Sequence, residues 1–98
     1  MTKKELLLVK LIEECAEVSK VATKYLRFGA ESKGPKEDDT NKDLLLQELL
    51  DIWAIWQYIT EEGMVDSPEE IMDELTWERI QRIDQYLEVS KKLGTLTE

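Results

Sequence analysis

Five carboxylates stand at two helical spacings in this chain. Glu13, Glu14 and Glu17 fall in "EECAE", and Glu48 and Asp51 fall in "ELLD". The second pair sits inside "LLLQELLDIWAIW" (44–56), a run of leucine, isoleucine and tryptophan that a folded chain is bound to bury. A side chain turns about 100° per residue around an α-helix, so carboxylates three apart occupy adjacent strips of one face. Glu48 projects between Ile55 and Ile59, inside the apolar arc, and Asp51 lies at its edge beside Leu44. On the preceding apolar segment, Glu14 points between Val21 and Tyr25, Glu17 lies near Phe28 at the same border, and Glu13 falls with Lys20, Lys24 and Arg27 on the polar face. Unpaired carboxylates in a partly buried cleft are strongly unfavourable. Protonation, a basic partner or a bound cation relieves them. Oxygen-only ligands suit a hard divalent ion, Mg²⁺ or Mn²⁺, with Glu14, Glu17, Glu48 and Asp51 as the ligating set.

The absence of other reactive groups narrows the chemistry. The sequence has no histidine and one cysteine, Cys15, which excludes Ser-His-Asp and Cys-His nucleophiles and an ordinary zinc site. Cys15 is read as a buried, inert thiol, and a lone cysteine fits a reducing cytoplasm. Its four glycines form neither GxxxxGK nor GxGxxG, so no phosphate-cradling loop is visible. A net charge of −9 argues against nucleic acid polymers and anionic membrane surfaces. No apolar run approaches the roughly 20 residues of a membrane span, and acidic residues interrupt the N-terminal segment too early for a signal peptide.

Three helices must position the carboxylates. The first is expected from about Thr2 to Phe28, stopped by Gly29, and "GAESKGPKEDDT" (29–40) reads as a loop. The second is expected from Thr40–Lys42 to Gly63, a natural residue just past a helix end. "DSPEE" (66–70) gives the third a start, with Ser67 as N-cap, Pro68 at the first helical position and Glu70 closing a capping box. It should run to about Leu93, with Gly94 ending it. Arg79 points into the apolar arc of that helix and Arg82 lies at its edge, and an inward arginine wants an anion. The expected fold is all-α: a helical hairpin plus a third helix, in one domain over residues 1–98. So wide an apolar arc on the second helix exceeds what three helices can cover. A homodimer or homotetramer with an intersubunit helix bundle is therefore expected.

"EECAE" followed by "ELLD" resembles the EExxE…ExxD signature of the MazG-like, all-α NTP pyrophosphohydrolases, over roughly residues 5–60. The context "LIEECAEVSKVATKYLRFG" and "NKDLLLQELLDIWA" is similar to small phage-type members. The resemblance implies cleavage of a nucleoside triphosphate, a ribo- or deoxyribonucleotide, between its α and β phosphates, with Mg²⁺ or Mn²⁺ required. By motif position Glu14 and Glu17 match the first metal-binding pair and Glu48 and Asp51 the second. Glu13 matches the extra glutamate, which binds a further metal or orients the attacking water. Leu44 stands where many relatives carry a lysine. Lys24, Arg27 and Arg79 are the candidates to balance charge on the β and γ phosphates, and Asn41 to meet sugar or base. The competing reading is a non-catalytic helical interaction protein, or a degenerate nucleotide-binding regulator.

Overall fold

The computed structural model describes residues 1–66 and 72–97. Its secondary structure is three helices, α1 (Lys3–Phe28), α2 (Asn41–Glu61) and α3 (Met72–Leu93), with no strand among the described residues. The capping box expected at Ser67, Pro68 and Glu70 lies outside them. Contacts divide the chain into two units, Met1–Asp66 and Ser67–Glu98. No described helix is long and apolar enough to cross a membrane.

Local chemistry sets the helix ends. The Thr2 hydroxyl oxygen accepts from the Glu5 N–H at 3.1 Å, and its proton goes to the Glu5 carboxylate at 3.1 Å. The cap thereby satisfies one orphan backbone N–H, that of Glu5. Thr40 begins α2 in the same way, accepting from the Asp43 N–H at 3.2 Å. At the far end of α2, Gly63 takes φ 68°, a left-handed turn that a Cβ disfavours. Its N–H then donates to the Thr60 carbonyl at 3.0 Å and that of Met64 to Ile59 at 3.0 Å, the paired bonds of a Schellman end. α3 closes likewise at Gly94, with Thr95 N–H on the Ser90 carbonyl at 3.0 Å.

α1 and α2 pack as an antiparallel hairpin. Lys3, at the start of α1, pairs with Glu62 at the end of α2 at 2.6 Å. At the other end, buried Asn41 donates from its amide nitrogen to the Gly29 carbonyl at 3.0 Å and the Lys24 carbonyl at 3.4 Å. The loop carbonyls of Ser32 and Ala30 accept from the first two N–H groups of α2, each at 2.9 Å, so the connection is fastened twice. Between these clasps the core is thin. Val21, Ile55 and Ile59 are the buried apolar residues among those described. Leu46, Leu49, Leu50 and Trp53 form an i, i+3, i+4, i+7 stripe along α2 that stays half exposed or more, Trp53 at 61%. Cys15, expected to be buried, is exposed, because the hairpin covers only the strip of α1 that carries Val21.

Candidate metal centre

Partway along the hairpin the acidic strips of the two antiparallel helices face each other. Glu14 lies two turns before Val21 on α1, and Glu48 two turns before Ile55 on α2. Both apolar residues are buried, so the helices must carry the two glutamates toward the same seam. Asp51 follows one turn after Glu48. Glu14, Glu48 and Asp51 each offer an oxygen within 4.8 Å of the others. Glu14 and Glu48 are half-buried and Asp51 is exposed, so the cluster opens to solvent on one side.

Glu48 is the strained member. Its Oε2 is buried and has no hydrogen-bond partner. Burial pushes its carboxyl above the ordinary carboxylate range. The Glu14 carboxyl beside it and the charges of Asp51 and Glu17 push it further. A buried acceptor without a donor costs roughly 1–3 kcal/mol. A divalent cation removes that cost and the mutual repulsion together. Three carboxylates within a few ångströms, one with an orphaned inward oxygen, fit a hard cation that takes oxygen ligands and keeps water.

The remaining expected residues lie at different distances from this centre. Glu17 is exposed, yet near enough for its charge to raise Glu48. Glu13 turns outward and accepts from Lys10 at 3.1 Å. Lys10 also stands 3.7 Å from Glu14 Oε1, the one cation within 4 Å of the cluster among the described residues. Sequence reasoning passed over Lys10, although its spacing of three and four before Glu13 and Glu14 is the ordinary signal of a helical ion pair. Arg79 is an exposed side chain of the second unit, 3.9 Å from Glu78. Arg27 lies over the Phe28 ring, 4.9 Å from its centroid.

Lys24 and Asn41 belong to a different place. They line a cavity of about 560 Å³ at the C-terminal end of α1, together with Phe28 and the loop residues Lys33, Lys36 and Glu37. Lys24 pairs there with Glu37 at 3.6 Å. Lys33 and Lys36 were not among the expected site residues. Loop lysines carry no periodicity that would place them. No protein-family model, curated protein or solved structure matches this chain.

Proposed function

We propose that the chain is a metal-dependent nucleoside triphosphate pyrophosphohydrolase of the MazG-like kind, cleaving its substrate between the α and β phosphates. The observation that carries this reading is the meeting of Glu14, Glu48 and Asp51 within 4.8 Å around a buried, unpartnered Glu48 oxygen. Glu14, Glu48 and Asp51 would hold Mg²⁺ or Mn²⁺, with Glu17 at the margin. A divalent ion bound there supplies Lewis acidity toward the phosphate oxygens and offsets the charge of the triphosphate.

The chain's own groups do the rest. Glu13, or one of the carboxylates of the cluster, would take the proton of the attacking water. Lys10 donates to Glu13 at 3.1 Å and orients that carboxylate, and its own ammonium is held above the ordinary lysine range, first by this hydrogen bond. Lys24 and Arg27 are the candidates on α1 for the outer phosphates. Asn41 has its amide nitrogen engaged by two carbonyls, so only its oxygen remains to meet a sugar or base. The uncovered stripe Leu46, Leu49, Leu50 and Trp53 supports a homodimer or homotetramer built through α2.

The same stripe favours a second reading, a helical interaction protein without catalysis. Pyrophosphate release separates the two, measured across the ribo- and deoxyribonucleoside triphosphates with Mg²⁺ or Mn²⁺. Turnover that survives Glu48→Gln unchanged removes the site, and no turnover on any triphosphate leaves the interaction protein.

A further inference from the structure

We propose that the cavity at the C-terminal end of α1 is a binding site for a small organic phosphate, separate from the carboxylate centre and independent of any metal there. Its volume, about 560 Å³, lies in the range of small-molecule sites. Its charge is opposite to that of the chain. Three lysines, Lys24, Lys33 and Lys36, line it against one carboxylate, Glu37. The protein as a whole has 22 acidic residues to 13 basic ones. Glu37 is matched to Lys24 at 3.6 Å. Lys33 and Lys36 have no carboxylate within 4 Å among the described residues. In a sequence so rich in acid, two unmatched ammonium groups on one cavity leave a net charge that a phosphate dianion would neutralise.

The neutral side-chain donors of the cavity are already engaged. The Asn41 amide donates to Gly29 and Lys24, and the Ser32 hydroxyl donates to the Phe28 carbonyl. The helix dipoles decide little, since the C-terminal end of α1 and the N-terminal end of α2 meet here with opposite sign. That leaves the ammonium groups as the free side-chain donors, which selects for charge over neutral hydroxyls. Phe28 supplies the other half of the specificity. Its side chain is 57% exposed on the cavity wall, an apolar face against which a planar ring can lie. Along α1, Lys24 is seven residues beyond Glu17, about 10 Å at helical rise. A ligand in the cavity therefore has no need of the metal position. The phosphate can come from the nucleotide of the proposed reaction or from an unrelated metabolite that reads this site alone.

The test uses the ¹⁵N-labelled full chain in EDTA at pH 7.5, following the amides of residues 32–37. The probes are adenosine 5′-monophosphate, pyrophosphate, inorganic phosphate and adenosine. The phosphates should shift these amides saturably and adenosine should not. Lys33→Glu with Lys36→Glu should weaken adenosine monophosphate by about tenfold or more, from the loss of charge-assisted bonds. Phe28→Ala should weaken the monophosphate and leave inorganic phosphate alone. Adenosine binding as well as its phosphate, no saturable shift with any probe, or indifference to the double charge reversal would each overturn the proposal. If the chain hydrolyses triphosphates, a raised KM at unchanged kcat in the double variant assigns the cavity to the substrate. An unchanged KM assigns it to a separate ligand. A failure of hydrolysis alone leaves the shift experiment standing, so the two readings fail separately.

Discussion

Glu48→Gln should make the metal-free protein more stable, and that sign is the sharpest consequence of the carboxylate centre. Glu48 has two carboxylate neighbours, Glu14 and Asp51, with oxygens within 4.8 Å. Two unit charges at that separation repel by roughly 0.9 kcal/mol with the dielectric constant of water and about 3.5 kcal/mol at an effective value of 20. The centre is open on the Asp51 side, so the lower figure is the safer one. Removing both repulsions is then worth about 2 kcal/mol, and the amide adds a donor that the orphaned oxygen lacks. For a domain of this size, that raises Tm by about 8 °C or more. The assay is thermal unfolding followed by circular dichroism at pH 8, in EDTA and again in Mn²⁺. The wild type should gain stability on adding the ion, by mass action on the folded state alone. The Glu48→Gln protein should start higher and gain little. A variant that melts lower than wild type in EDTA would show that the carboxylate is a structural acceptor. An equal gain from Mn²⁺ in both proteins would put the ion elsewhere. Either result refutes the reasoning.

Three further experiments bear on the structure. In EDTA, Glu48 binds its proton more tightly folded than unfolded, so its contribution to stability is full below about pH 4.5 and is lost as pH rises through its raised folded value. Glu62 has the opposite sign. Lys3 holds its carboxyl below the usual range, so its contribution is present above about pH 4.5 and is lost on further acidification. Urea unfolding of wild type, Glu48→Gln and Lys3→Ala from pH 3.5 to 8 separates these slopes, and parallel curves would contradict both assignments. Asn41→Ala removes a buried amide that ties two α1-end carbonyls, and should cost about 1–3 kcal/mol in urea unfolding. A loss below about 0.5 kcal/mol would reduce Asn41 to an ordinary surface position. Trp53→Glu charges the most exposed member of the uncovered α2 stripe and should turn an oligomer into a monomer by light scattering, whereas an unchanged mass would place the interface elsewhere.

The parts of the fold that depend on near neighbours were legible in the sequence. Gly63 and Gly94 end their helices because a left-handed residue lets the chain turn back onto its last carbonyls, a signal contained in a few residues. The carboxylate centre was legible for a related reason. Angular arithmetic places Glu14 with Val21 and Glu48 with Ile55, and once those apolar residues are buried together the carboxylates have one seam to share. Side chains that can swing escaped this reasoning. Glu13 turns outward, as its place on the polar face requires, but the Lys10 side chain that binds it was not foreseen. Asn41 was read as a ligand contact from its place at the end of a polar loop. Its amide partners lie 12 and 17 residues back, a pairing that only the closed hairpin creates. The lysines of the cavity were invisible for the same reason, since the path of residues 32–37 follows no period.

The thin core and the crowded carboxylates bear on each other. With only Val21, Ile55 and Ile59 buried among the described apolar residues, the hairpin has little hydrophobic free energy to set against ordering two long helices. Placing Glu48 in the seam then subtracts from that small sum. A sequence selected for a stable isolated hairpin would put leucine at position 48, where the flanking residues are already leucine and glutamine. The glutamate is tolerable if two other contributions are present. One is a cation that turns the repulsion among Glu14, Glu48 and Asp51 into attraction. The other is a second copy that covers Leu46, Leu49, Leu50 and Trp53. On the proposed reading these are coupled through α2. The stripe and the carboxylates share its middle turns, so covering the stripe fixes the helix that carries Glu48 and Asp51, and lowers the ordering cost of binding the ion. Metal affinity should therefore rise with oligomerisation, and by reciprocity the ion should tighten the oligomer. Sedimentation of the wild type in EDTA and in Mn²⁺ reads that coupling directly, and an association constant indifferent to the ion would show that the two sites are energetically separate.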